Sequence, residues 1–418
     1  MQFLNKSLGT LYLLLVLINS VYCSKLLFLL VDGFRWDYFN FPDITLNGFA
    51  RLFKHGSRAE WLTPEFPTNS FPNYKTLETG LHVENHGVVG NYMFDEKTGK
   101  HFRLELDGPE SYLPSWWDSA ESFFITAEKQ GIRTALYHVR GCHVPIHDIW
   151  PTHCLPYHTY VTREQTDSDL RDALEKIKNN QIDIAYLYHQ HVDAMGHEFG
   201  PSSNQVRDAV LEVDTHINDI LDIIEDNQQN DVNVIIVSDH GMSTIDTLHK
   251  INISEALNMN DILEITEGGT QAYVWPKSGK EKEVYNKLKN FHPNMKVYHR
   301  DDILDRWFFK KHTRIPPIFI TVDKGWYLAH PKSGNLVFET TGYIWQGNHG
   351  FDNNDLDMRG IFAAYGPDFK SNQIVKGFDI TNVYQIICKV TGIKPNPNNG
   401  TWSTVEKLLK DNFNKDEL

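Results

Sequence analysis

Positive charge is in short supply: 40 Lys and Arg stand against 54 Asp and Glu, a formal net charge of −14. Sequence-independent binding to a nucleic-acid backbone needs clustered Lys and Arg, so no nucleic-acid polymer is an expected partner, and any phosphate recognition has to be local. Long apolar runs are missing too. The one near the start, Leu11 to Ile18, is too short to span a bilayer, and no other segment reaches spanning length. Cysteine is scarce, with four in 418 residues. Cys142 and Cys154, twelve apart across a Pro-rich loop, make a sensible disulfide in an oxidising lumen, and Cys388 then has no partner. No internal repeat or low-complexity linker is seen. With 41% hydrophobic and 12% aromatic residues, the chain has enough apolar content to bury one large core and a smaller one.

The ends carry addresses. Lys6, the apolar run and the residues Val21 and Cys23 before Ser24 read as a secretory signal over residues 1–23. The far end, Lys415 to Leu418, reads KDEL, a retrieval signal for the endoplasmic reticulum. The expectation is a protein of the secretory pathway, held in the endoplasmic reticulum lumen by a KDEL receptor or else secreted, with no transmembrane segment. Its phosphodiesterase catalytic domain would span 24–410 and its tail 411–418. The sequons at Asn252 and Asn399 fit a glycoprotein of that pathway.

Short apolar runs rich in β-branched or aromatic residues recur at 25–33, 133–139, 182–189, 232–241 and 360–366, separated by amphipathic stretches such as 204–227. Near-continuous apolarity in strands that alternate with helices predicts an α/β fold, with a mostly parallel sheet covered by helices on both faces. Residues 250–345 behave differently, with their own helix and short strands, and read as a cap-like α/β insertion. The stretch EFPTNSFPNYKTLETG at 65–80 reads as too broken by proline for a regular helix or strand.

Polar residues gather just beyond these strands: Asp32 after the first, Asp193 and His197 after the third, Asp239 and His240 after the fourth, with His349 between glycines in GNHGFDN. Ligands bind outside the carboxyl ends of strands in open parallel sheets. Three carboxylates and three imidazoles suit zinc, are too many for one tetrahedral ion and are enough for two with open positions. Two metals roughly 4 Å apart would serve an in-line phosphoryl displacement. Gly241 is expected to let the backbone turn so that Asp239 and His240 face one point. His86, His189 and His191 read as ordinary polar residues.

LLVDGFRWDYF, PTNSFPNYKTLETGLHVENHGVVGNYMFD, HVDAMGHEFGP, VIIVSDHGM, GNHGFDN and NPNNGTW, in this order from about residue 25 to 409, resemble the ectonucleotide pyrophosphatase/phosphodiesterase family of the alkaline phosphatase superfamily. DMRGIFAAYGPDFKSN and WPTHCLPY look most like its glycerophosphocholine cholinephosphodiesterase branch. The resemblance implies an alkaline-phosphatase-like fold and two zinc ions per chain. It makes Ser70 the nucleophile, set against the zinc of Asp32, Asp239 and His240, with Asp193, His197 and His349 holding the other. It gives Asn91 the role of donor to a phosphate oxygen, and makes Phe71, Tyr157 and Tyr188 the aromatic substrate pocket. Asn69 and Tyr92 stand where nucleotide-cleaving members usually carry Lys, while Arg140, His143 and Pro145 stand where the choline branch is acidic, in a VPIHD loop more like nucleotide-cleaving relatives.

The expected activity is a two-zinc phosphodiesterase that converts glycerophosphocholine-type choline phosphodiesters to phosphocholine, a step of lipid metabolism, through a phospho-Ser intermediate. Two alternatives stay open. One is the same machinery acting on nucleotides or dinucleoside polyphosphates, and the other is a catalytically inactive lumenal binding protein.

Overall fold

The computed structural model describes residues 24–103, 109–157, 160–330 and 345–411. The expected leader and the KDEL end lie outside them.

The first apolar run forms β1 (Lys25–Val31), buried at every position after the first. Its side chains alternate between faces, as a strand dictates. Leu26, Phe28 and Leu30 enter one core, and Leu27, Leu29 and Val31 enter another on the opposite side of the sheet. A strand buried on both faces must be apolar throughout, which is why the sequence shows a run and no alternation.

Around β1 lie α1 (Asn47–His55), β2 (Ser57–Ala59), α2 (Ser70–Thr79), α3 (Phe123–Lys129), β3 (Thr134–Tyr137), β4 (His153–Leu155), α4 (Arg163–Lys178), β5 (Ile184–His189), α5 (His191–Phe199), α6 (Asn204–Asp226) and β6 (Val232–Val237). Further along the chain come β11 (Phe362–Tyr365), β12 (Gln373–Val375) and α8 (Val383–Thr391). The eight-stranded sheet has the order β12–β2–β11–β6–β1–β5–β3–β4. β1 pairs in parallel with β5 and β6, and β3 with β4 and β5, whereas β11 runs antiparallel to both of its neighbours. Helices α2, α3 and α8 pack through Leu77, Phe123 and Ile386 on one face. Helices α1, α4 and α6 pack through Leu52, Leu170 and Val213 on the other. The fold is the mostly parallel α/β arrangement, with both faces covered, that the strand pattern predicts.

The stretch at 65–80 departs from its sequence reading, since it contains α2, a regular helix. Pro72 falls in the first turn, where backbone N–H groups have no intrahelical acceptor and a fixed φ is tolerated. Gly80, left-handed at φ 66°, closes the helix by donating to the Thr76 carbonyl. Ser70 is therefore the first residue of a helix, not part of an irregular loop.

Within 250–330, β7 (Ile262–Thr266), β8 (Gln271–Pro276), α7 (Glu281–Leu288), β9 (Met295–His299) and β10 (Ile318–Val322) appear in that order. The strands form an antiparallel sheet of order β7–β8–β10–β9 with its own core around Val274, Leu288 and Ile320. Tyr273, Trp275 and Phe319 join the main core, which seats this unit against the body of the molecule. Among the described residues no helix is long and apolar enough to cross a membrane.

Candidate active site

The carboxyl ends of β1, β5 and β6 deliver Asp32, the helix α5 carrying Asp193 and His197, and the pair Asp239 and His240 to one rim of the sheet. His349, next after the short strand Gly347–Asn348, joins them, and the N-terminus of α2 adds Ser70. The six candidate ligands fall into two groups, Asp32 with Asp239 and His240, and Asp193 with His197 and His349; within each group the donor atoms lie within 4.8 Å of one another. His240 Nε2 is 3.1 Å from Asp239 Oδ2 and 3.4 Å from Asp32 Oδ1. His197 Nε2 is 3.4 Å from Asp193 Oδ2, and His349 Nε2 is 3.8 Å from Asp193 Oδ1. The His240 and His349 rings stack at 3.6 Å, so the two groups adjoin.

Tautomers decide whether such rings can bind a cation. His197 Nδ1 lies 3.0 Å from the Gly347 carbonyl, His240 Nδ1 2.8 Å from that of Gly241, and His349 Nδ1 2.9 Å from that of Thr68. A carbonyl only accepts, so each Nδ1 carries the proton and each Nε2 presents a lone pair to the cleft. Asp32 Oδ1, Asp193 Oδ1 and Asp239 Oδ2 are buried with no hydrogen-bond partner. Burial, reinforced by the charge of Asp32, pushes the Asp193 and Asp239 carboxyls well above their usual range. Burial also drives His240 down to about 3 and His197 to about 4, and holds His349 well below the imidazole range. Orphaned carboxylate oxygens beside neutral imidazole lone pairs are a donor set that fits divalent cations.

Ser70 Oγ sits 3.2 Å from His240 Nε2, against the first group. Asn91 accepts the Phe71 N–H through its side-chain oxygen at 3.0 Å, which leaves its NH₂ as the donor toward the cleft that it lines with Ser70. Thr68 acts on the backbone instead. Its hydroxyl donates to the Phe351 carbonyl and accepts the Gly350 N–H, which fixes the loop carrying His349.

The three aromatic candidates separate. Tyr188 lines the cleft, but its hydroxyl donates to Asp32 Oδ2 at 2.5 Å, and the Tyr74 hydroxyl donates to the same oxygen. Tyr157 donates to Gln190 Oε1 at 2.8 Å and carries the Arg140 guanidinium 3.7 Å above its ring. Phe71 is 2% exposed and packs edge-on against Phe102, beneath Arg140. Arg140 thus lies over the Tyr157 ring, with the Phe71 and Tyr188 ring centres 5.3 and 5.9 Å from its guanidinium carbon.

Gly241 differs from its expected part. It has no left-handed φ, and a side chain is excluded there by the Asp357 carbonyl, which a Cβ would meet at 2.0 Å. Gly33 is the residue that needs the unusual backbone, at φ +68° and packed on Asp193, while its N–H donates to Asp239 Oδ1 at 3.2 Å. Sequence reasoning missed Glu267, a buried residue at φ 61° whose carboxylate accepts the Tyr92 N–H at 3.0 Å at the cleft wall, and Trp345, whose ring lies 4.1 Å from that of His197. Tyr74 was within reach of the sequence, one helical turn after Ser70.

The chain matches the family of type I phosphodiesterase / nucleotide pyrophosphatase over residues 26–352. It belongs to that family, the ectonucleotide pyrophosphatase/phosphodiesterases of the alkaline phosphatase superfamily.

It is 33% identical over 387 residues to human ectonucleotide pyrophosphatase/phosphodiesterase family member 5, covering 92% of this chain and 78% of that one. It is 34% identical over 388 residues to the Xenopus laevis bis(5'-adenosyl)-triphosphatase enpp4, covering 92% and 81%. Among solved structures, an inactive variant of murine ectonucleotide pyrophosphatase/phosphodiesterase 5 in complex with AMP superposes with a TM-score of 0.84 at 32% identity, covering 93% of this chain and all of that one. As a member of this family the protein is a phosphodiester or pyrophosphate hydrolase whose substrate is a small phosphate ester, and its fold is the alkaline-phosphatase-like one.

Proposed function

We propose that this phosphodiesterase cleaves nucleotides or dinucleoside polyphosphates, using two zinc ions and Ser70. The observation that carries the substrate class is Arg140. Its guanidinium carbon lies 3.7 Å from the Tyr157 ring centre, 5.3 Å from Phe71 and 5.9 Å from Tyr188, so the aromatic box already contains a cation. A quaternary ammonium would meet like charge there, whereas a phosphate or nucleotide gains a charge-assisted donor in a walled cleft. The relatives support the same reading, one named for cleaving a dinucleoside triphosphate and one solved with AMP.

Asp32, Asp239 and His240 would hold one zinc, and Asp193, His197 and His349 the other; when bound, such ions supply positive charge that makes a hydroxyl nucleophilic near neutral pH and offsets charge on phosphoryl oxygens. Ser70, at the N-terminus of α2, attacks phosphorus and the leaving group departs. The phospho-Ser70 so formed is then hydrolysed, which releases the phosphomonoester and restores the hydroxyl. The N-terminal end of α2 favours a bound anion, and the Asn91 NH₂ donates to a phosphoryl oxygen. Tyr74 and Tyr188 orient Asp32.

Turnover of p-nitrophenyl thymidine monophosphate by the purified protein is expected to disappear on chelation and return with zinc. Ser70→Ala is expected to cost about 10³-fold or more in kcat at unchanged metal content. Full turnover by that variant would refute the mechanism. The choline-ester reading keeps one support, the rings of Tyr157 and Tyr188. A secretory setting is supported by the Cys142–Cys154 bridge, with Cα atoms 5.8 Å apart, and persistent endoglycosidase H sensitivity of Asn252 or Asn399 glycans would check retention in the endoplasmic reticulum.

A further inference from the structure

A third group of metal-type donors stands apart from the cleft. His189, at the end of β5, meets Glu212 and His216, which lie one turn apart on α6, and the donor atoms of all three are within 4.8 Å of one another. All are buried, with His189 3% and His216 0% exposed. Strand alternation puts them on the other side of the sheet from the active site: Tyr186 and Tyr188 face the core beneath the cleft, whereas Ala185 and Leu187, and with them His189, face α6.

We propose that His189, Glu212 and His216 hold a third zinc ion, separate from the two of the cleft. His189 Nε2 lies 3.4 Å from Glu212 Oε1, about the ligand-to-ligand edge of a tetrahedron with bonds of roughly 2.1 Å. Ion pairing with Glu212 and Asp167 accounts for only part of this group. Glu212 Oε2 takes a hydrogen bond from His191 Nδ1 at 3.0 Å, which turns the other oxygen toward His189. Yet His189 Nδ1 and both nitrogens of His216 are buried without a hydrogen bond, although Asp167 Oδ1 comes within 2.9 Å of His216 Nε2. Asp167 is partly exposed and brings a further carboxylate to the outer side of the group, where it can serve as fourth ligand or as partner of the His216 ring. Two imidazoles and one or two carboxylates form a zinc-type set, since calcium or magnesium would call for oxygens alone. An ion here would tie α6 to the end of β5, four residues before Asp193.

The test is the zinc content of the intact protein, loaded with zinc, freed of excess by gel filtration and measured by inductively coupled plasma mass spectrometry. Three ions per chain are expected, with one lost in His216→Asn, one lost in Glu212→Gln, and the third site still filled in His240→Asn. The proposal rests on the count at this group and not on the number held in the cleft, so an unchanged count in both folded His216→Asn and folded Glu212→Gln would overturn it. Anomalous scattering at the zinc edge from crystals of the unaltered protein needs no substitution. A peak within roughly 2.5 Å of His189 and Glu212 supports the site, and peaks confined to the cleft overturn it.

Discussion

The half-buried Arg140 guanidinium lies over the Tyr157 ring and lines the cleft with Ser70, so it offers a positive charge to an anion bound there. Arg140→Ala is expected to raise KM for p-nitrophenyl thymidine monophosphate by about tenfold or more with a smaller effect on kcat, in steady-state kinetics. The ligand candidates were legible at this scale because Asp32, Asp239 and His240 stand just beyond apolar strands, Asp193 and His197 lie on the helix that follows one, and His349 sits in a glycine-flanked turn. Arg140 was legible as a residue but not as the occupant of the aromatic box, which depends on three segments meeting in space. Glu212 and His216 were hidden by α6 itself: they fall among the periodic buried positions of an amphipathic helix, and the pattern absorbs them.

Among the elements, the turn after β1 and the helix α2 set the geometry of the site. A Cβ on Gly33 would come within 2.8 Å of the Asp193 Cα and Cβ, at a φ that other residues rarely adopt. Gly33→Ala is therefore expected to displace Asp193 and lower kcat by about 10²-fold with loss of bound zinc, read by activity and metal content together. Asp183 just before β5 ties the starts of two central strands, accepting hydrogen bonds from Arg133 at 2.9 and 3.0 Å and pairing with Lys25. Burial opposes its ionisation, but the bonds from Arg133 and Lys25 win and hold its carboxyl down at about 2. A depressed carboxyl stabilises the fold above its unfolded value of 3.8 and loses that contribution as the pH falls through about 2. Asp183→Asn is expected to cost about 1–2 kcal/mol near pH 7, with the difference from the unaltered protein shrinking toward about pH 3, in thermal unfolding followed by circular dichroism. The strands were readable from composition. Helix α2 was not, because two prolines in sixteen residues, Pro67 and Pro72, signal a break, and only the structure shows Pro72 falling in a first turn that tolerates it.

At the scale of the whole molecule, the cleft lies at the strand-end rim of a sheet with two buried faces, and the unit at 250–330 supplies part of its wall through Glu267 and Thr270. The sheet and its covered faces follow from the alternation of apolar runs and amphipathic helices. How the 250–330 unit docks does not, since aromatic contacts such as Phe66 on Trp307, stacked at 3.9 Å, join residues far apart in the chain. That docking is also why the wall residues escaped sequence reasoning while the ligands did not. The most direct measurement is kcat/KM of the zinc-loaded protein on p-nitrophenyl thymidine monophosphate and on p-nitrophenyl phosphorylcholine, side by side, with and without chelator. Metal-dependent turnover that favours the nucleotide ester by about tenfold or more is the expected result. Preference for the choline ester, or turnover that survives removal of metal, would contradict it.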